Sequence, residues 1–290
     1  MQNALEIKNR IKAVKETAQI TKAMEVISVA KRRKANVKYN NNLQYFLRVR
    51  STIKDILTHS GNLINHDYLK HREGNRTGYV VIASDKGLAG AYNRKVCKKA
   101  LDTINEVEEK YIFTIGQMAR EFFTREGLTP DIDFLYAAQN PTLEDARRIT
   151  SDLMDLYDSD HLDEIYVVYT QKITNSKMEP IVLKLLPLEI KDFKDIPNEK
   201  EYKSILDFEP SPNALVATLV PQYIIGMLYS CLIQSIYCEH EERMITMNSA
   251  TNNANELMDK LNLDFNRSRQ AAITREISEV ASSTIIFNKD

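Results

Sequence analysis

From Met1 to Ser60 the chain contains neither glycine nor proline, so nothing in this stretch favours leaving a helix once one has started. Residues Ile7–Lys38 and Cys238–Val280 each read as one long helix, and the region between them alternates strand and helix signals. In the first helix Ile7, Ile11, Val14, Ala18 and Thr21 recur at spacings of four and three, and Ile20, Ala23, Ile27 and Ala30 form a second stripe beside them. At 1.5 Å per residue this element approaches roughly 80 Å. A helix of that length needs a partner for its apolar stripe. The other end supplies one. Met247, Ala250, Ala254, Leu257 and Leu261 keep the same spacing, and Ile273, Ile277 and Val280 continue it. Asn248–Asn255 alone is poor helix material, and only the stripe through it argues for helix. Pro221, whose missing N–H is harmless at a helix start, marks the beginning of this element. The two ends are therefore expected to pair as an antiparallel coiled coil.

The 290 residues carry a net charge of -1, but the charge is unevenly spread. Met1–Thr58 holds thirteen Lys/Arg against four Asp/Glu, a surplus of nine, so the remainder carries -10. Such a basic segment seeks acidic partners. Lys31-Arg32-Arg33-Lys34 lacks interleaved aromatics and a surrounding nucleic-acid module, so no nucleic-acid partner is expected. The three cysteines (Cys97, Cys231 and Cys238) form no spaced framework and predict free thiols in a reducing compartment. The amino-terminal residues are charged throughout and predict neither a signal nor a transit peptide. Val220–Cys238 is nearly all apolar and close to spanning length, yet it runs straight into Glu239-His240-Glu241-Glu242. A buried helix is expected there, not a membrane span.

In the middle, Tyr79–Ala83, Tyr111–Ile115 and Ile132–Ala137 read as strands, and Asn93–Glu109, Gln117–Arg125 and Thr142–Tyr157 as helices. Glu164–Lys172 and Pro180–Leu188 look like a strand pair around an Asn175-Ser176-Lys177 turn. The expected fold is α/β: a Rossmann-like, mostly parallel sheet with that last pair antiparallel, joined to the two-helix coil. The expected boundaries are 1–60 for the first coil helix, 77–190 for the α/β domain, 191–211 for a linker and 212–290 for the second coil helix.

Catalysis finds no support in these residues. Gly87-Leu88-Ala89-Gly90 follows a strand and precedes a helix, but Arg94 lies where a third glycine would be needed and no Gly-Lys-Ser/Thr follows. A tight turn needing a permissive backbone is the expected role of Asp85, Gly87 and Gly90. His240-Glu241-Glu242-Arg243-Met244 lacks the second histidine of a zinc-protease helix, and His66, Asp67 and His71 lie in a loop. Cys97 sits among Lys95, Lys98 and Lys99, a setting that would depress a thiol pKa, but no base is placed beside it. No catalytic, cofactor-binding or metal-binding residue is expected.

Lys8-Asn9-Arg10-Ile11-Lys12-Ala13-Val14-Lys15 and Gln19-Ile20-Thr21-Lys22-Ala23-Met24-Glu25 resemble the amino-terminal helix of the γ subunits of F-type ATP synthases. Arg243-Met244, Met247–Leu257 and Asn266–Ile277 are similar to that family's carboxy-terminal helix. Asp85–Asn93 is similar to the turn of its α/β domain. The resemblance implies a non-catalytic rotor: a shaft turning inside the ring of α and β subunits, with its foot against the ε subunit and the ring of c subunits. Proton or sodium flow would drive it, peripheral to the cytoplasmic face of a bacterial inner membrane. By the same resemblance Lys22, Met24, Arg269, Gln270, Thr274, Glu276 and Glu279 match positions facing the catalytic ring. The chain departs from the family at its tail, where Ile285, Ile286 and Phe287 replace small residues, and at Ala89 and Tyr92. The rival reading is a coiled-coil adaptor, which should expose an apolar patch on its coil where a rotor should not.

Overall fold

The computed structural model describes residues 4–60, 64–136, 138–174, 177–193, 209 and 211–287. In chain order the elements are α1 (Ala4–Ser60), β1 (Thr77–Ile82), α2 (Tyr92–Ile104), β2 (Lys110–Ile115), α3 (Gln117–Arg125), α4 (Leu143–Asp158), β3 (Glu164–Lys172), β4 (Met178–Leu186) and α5 (Pro212–Phe287). The chain divides into two compact units, Met1–Val29 with Arg243–Asp290, and Ala30–Glu242. Both divisions fall inside helices rather than in loops.

The second unit is built on a four-stranded sheet in the order β2-β1-β3-β4. β1 pairs in parallel with β2 and β3, and β3 pairs with β4 antiparallel. Alternation along each strand feeds two cores. Val80, Ile82, Phe113, Ile115, Ile165 and Val167 turn to one face, where α4 and the long helices supply Leu153, Tyr157, Ile53, Ile56, Val220 and Leu228. Tyr79, Val81, Ile112 and Val168 turn to the other, against Val96, Ala100, Ala119 and Phe123 of α2 and α3. The sheet is therefore covered on both sides, as near-continuous apolar strands require.

α5 starts earlier than Pro221. Ser211 caps it, its Oγ accepting from Ala214 N at 3.2 Å and its carbonyl from Leu215 N at 3.1 Å, with Pro212 in the first turn. Pro221 is interior and leaves the Ala217 carbonyl without its helical donor. The apolar stretch that follows is largely internal, with Tyr223, Ile224, Leu228, Cys231, Leu232 and Cys238 buried. Length and composition alone would let this helix cross a membrane, but half of its most apolar window is buried in the protein.

Three expectations need correction. Ile132–Ala137 is not a strand among its described residues; only Tyr136 forms a bridge, to Ile115. Asp131 Oδ1 instead accepts from the N–H groups of Asp133 and Phe134, and Arg120 donates to the carbonyls of Asp131 and Phe134. That leaves Ile132 and Leu135 about 70% exposed. α2 stops at Ile104, short of Glu109. The linker expected over 191–211 does not start at residue 191: Ile190–Phe193 is a 3-10 turn whose Phe193 is buried against Tyr223 and under Arg50. Residues 194–208 and 210, the Asn175-Ser176 turn and Ala137 lie outside the described residues.

Beneath the sheet, Asp163 is 1% exposed and its carboxylate is held by Arg76. Nε donates at 2.9 Å, Nη2 at 2.8 Å and the Arg76 backbone N–H at 3.0 Å. The guanidinium beside it lowers the Asp163 pKa below its ordinary value. A depressed carboxylate pKa contributes stability above the ordinary value near 4 that is lost as pH falls through the folded-state value. Arg76→Gln strands the buried carboxylate. The variant is expected to be less stable than the parent at pH 7 and to lose less further stability between pH 5 and 3, read from urea midpoints across that range.

Candidate functional site

In the first unit, α1 and α5 bury a seam of small and apolar residues. On α1 it comprises Ile7, Ala18, Thr21 and Ser28, with Ile11 and Val14 half-buried, as the spacing predicts. On α5 it runs Met247, Thr251, Ala254, Met258, Leu261, Phe265 and Ser268, at strict spacings of four and three. The expected stripe is displaced at one place, where Met258 is half-buried and Leu257, expected there, is 36% exposed. Ala250 is half-buried as expected, and Thr251 beside it joins the seam. The reason is a hydrogen bond. Thr21 Oγ1 and Thr251 Oγ1 lie 2.8 Å apart; one hydroxyl donates to the other, whose own proton goes to its helix carbonyl, Ala18 O at 3.1 Å or Met247 O at 2.9 Å.

That contact sets the register. Seventeen residues back from Thr21 bring α1 to its start at Ala4, and seventeen forward from Thr251 bring α5 to Ser268. Burial agrees: among the described side chains Ser268 is the last that is half-buried, and those from Arg269 to Ala281 are exposed. Arg269, Gln270, Thr274 and Glu276 therefore sit on a single helix beyond the coil. Ile273, Ile277 and Val280, expected to continue the seam, lie beyond the reach of the described α1 and are 47%, 63% and 65% exposed. Lys22 lies on the paired part, exposed and 3.1 Å from Glu25 Oε1, and Met24 is half-buried nearby. The structure thus does not gather the seven positions into one cluster. It spreads Lys22 and Met24 along the coil and strings the others along the overhang. The side chains of Glu279, Ile285, Ile286 and Phe287 lie outside those described.

The second expected stripe on α1 is not a seam. Ile20 and Ile27 are 61% and 54% exposed, and Ala23 is exposed too. In the other unit, Arg32 of the basic run pairs with Glu241, and Lys38 donates to the Pro141 carbonyl.

The Asp85–Gly90 turn is held at the carboxyl ends of β1 and β2. Asp85 accepts from Gln117 N, the first residue of α3, at 3.3 Å, and from Ala138 N and Gln139 N at 3.1 Å each. Backbone N–H groups at a strand end and helix start are what an α/β fold offers a phosphate. Here the chain's own carboxylate takes them. Ser84 N donates to Asn93 Oδ1 at 3.0 Å, which fixes the far side of the turn. Gly90 adopts φ 54° as expected, but the second left-handed residue is Leu88 at φ 63°, not Gly87. Ala89 is thereby turned inward against Cys238 and Tyr92.

The other residues weighed on sequence are accounted for separately. Burial pushes the Cys97 thiol up to about 12, overriding the neighbouring lysines that were expected to depress it. His66 packs on Tyr68, Asp67 pairs with Lys70, and His71 lies 3.5 Å from Glu164. Among the described residues no cluster of three His, Cys, Asp or Glu could hold a metal.

Residues 3–284 match the family model described as ATP synthase. The ATP synthase gamma chain of Ruminiclostridium cellulolyticum is 41% identical over 285 residues, 96% of each chain. The sodium ion specific ATP synthase gamma chain of Acetobacterium woodii is 35% identical over 301 residues, 99% of each. Among solved structures, the rotor of the Euglena gracilis mitochondrial ATP synthase is similar with a TM-score of 0.62 at 16% identity, covering 93% of this chain and 98% of that one.

Removing the Asp85 carboxylate leaves three N–H groups without their acceptor. Asp85→Ala is expected to cost about 2 kcal/mol in urea unfolding, with Asp85→Asn intermediate because one oxygen remains to accept.

Proposed function

The chain belongs to the ATP synthase gamma chain family, and from that membership we propose that it is the central-stalk rotor of an F-type ATP synthase. In this reading the coil and overhang turn inside the α/β-subunit ring, the α/β domain meets the ε subunit and the c-ring, and the complex sits at the cytoplasmic face of a bacterial inner membrane. No chemistry falls to this chain. It couples sites by presenting a different face to each β subunit in turn, so that the ring's conformations follow the shaft's angle.

The observation that carries the proposal is the overhang. A lone helix of this length is marginal in water, and this one exposes Ile273, Ile277 and Val280 on one stripe. It calls for a surrounding apolar surface, where each buried aliphatic side chain is worth about 1 kcal/mol or more. Arg269, Gln270, Thr274 and Glu276 on the same helix supply polar contacts around that stripe, and Lys22 and Met24 extend the contact along the coil. Exposed ion pairs contribute little each, so charge is assigned to steering and apolar contact to holding. Because the coil also exposes Ile20 and Ile27, an apolar coil surface does not separate rotor from adaptor: a shaft running in a sleeve has the same need.

Co-purification with separately expressed α and β subunits, followed by an ATPase assay, separates the two. A single copy of the chain within an α–β ring, with turnover dependent on it, supports the rotor; a ring with identical turnover without it supports the adaptor. Ile273→Asp with Ile277→Asp should leave the isolated chain's unfolding midpoint unchanged, because both side chains are exposed, 47% and 63%. In the complex it should lower coupled turnover roughly tenfold or more, the cost of placing unpaired charge against an apolar wall.

A further inference from the structure

Within the second unit, α1, α5 and the end of β3 enclose a surface cavity of about 190 Å³, more than ten times the roughly 10–15 Å³ that one water requires. Its wall mixes polar and apolar surface. Asn36 and Asn40, one helical turn apart on α1, line it together with Tyr39, Lys172, Ile233, Gln234 and Tyr237. Lys172 is the last residue of β3, and its ammonium lies 4.7 Å from the centre of the Tyr237 ring. Among the described residues no carboxylate pairs with it. A ring face attracts a cation without neutralising it, so the cavity holds an uncompensated positive charge beside two amides that can donate N–H groups.

We propose that this cavity binds a small organic oxyanion, a carboxylate or phosphate monoester carried on a flat body. Lys172 and the Asn36 and Asn40 amides would take the oxygens, and Tyr39 and Tyr237 would flank the body. The volume lies below the roughly 300–1,000 Å³ of a drug-sized ligand's pocket, so it admits only a small molecule and no helix or folded partner. An occupant would touch two long helices and a strand at once, tying α1 and α5 to the sheet. The inference rests on this unit alone and not on the proposed rotor role.

The test is calorimetric titration of the full chain with phenyl phosphate, benzoate and the neutral control benzyl alcohol. Saturable one-to-one binding of either anion is expected, with the pair of titrations telling phosphate from carboxylate preference, and no binding of benzyl alcohol. Lys172→Gln should weaken binding roughly tenfold or more, the usual loss of a charge-assisted hydrogen bond, and Lys172→Arg should retain it. Asn40→Leu, on an exposed helix face, is a second probe and should also weaken it. Absence of saturation with both anions at millimolar concentration overturns the proposal. So does binding that Lys172→Gln and Asn40→Leu leave unchanged, or benzyl alcohol binding as tightly as the anions.

Discussion

The register between two helices governs this molecule's most exposed surface. Neither helix end can stand in water on propensity alone, and both carry the three-and-four spacing of a seam that must be covered. What decides how they slide against each other is a contact between two hydroxyl groups, Thr21 and Thr251, set among alanines that let the backbones approach. A shift by one heptad would place those hydroxyls against apolar neighbours and remove a mutual bond from a water-poor seam. Once the register is fixed, the point at which α1 runs out is fixed as well, and the length of α5 left uncovered follows. The surface available for partners is thus a by-product of where a short polar pair sits inside the coil.

The second unit solves a different problem, that of a small sheet with both faces apolar. α2 and α3 cover one face, and α4 with the long helices covers the other. Turn chemistry then locks the strand ends. Gly116 takes φ 94°, and an added Cβ there would stand 2.4 Å from the Ala83 carbonyl oxygen, so the turn from β2 into α3 requires glycine at this position. Thr142 and Asp145 cap α4 reciprocally. These local devices leave the sheet little freedom, so the loops carried on it are positioned by rigid supports.

Much of this was legible from residue pattern. The run Tyr79–Ala83, the helix bounded by Gly116 and Gly127, the strand pair after Glu164 and the α1 seam all carry a strong period or clear punctuation, and the structure agrees with them. The failures share a cause. On α5, Leu257 and Met258 both satisfy the spacing and apolarity favours Leu257, yet the structure leaves it exposed and half-buries Met258; Thr251 joins Ala250 in the seam because a partner hydroxyl on the other helix meets it. Pro221 looks like a start because its penalty is visible locally, while the burial that holds the helix through it is not. Ile132–Ala137 alternates like a strand, but the carbonyls such a strand would use are taken by Arg120, a residue outside the window. Cys97 shows the same limit: its lysine neighbours are visible in sequence, its burial is not. The seven positions expected to face the ring rested on family resemblance alone, since nothing in the spacing of Arg269, Gln270 or Thr274 distinguishes them from a solvated helix face.

One consequence of the Asp85 turn concerns the cell around the protein. A fold of this kind ordinarily leaves N–H groups at its strand ends open to whatever phosphates are dissolved nearby, and those concentrations rise and fall with metabolism. Here an internal carboxylate already occupies the N–H groups of Gln117, Ala138 and Gln139, and the same turn seats Ala89 against Cys238 of α5. The seating of that helix is therefore built from contacts internal to the chain, with a carboxylate standing where a dissolved phosphate would otherwise compete.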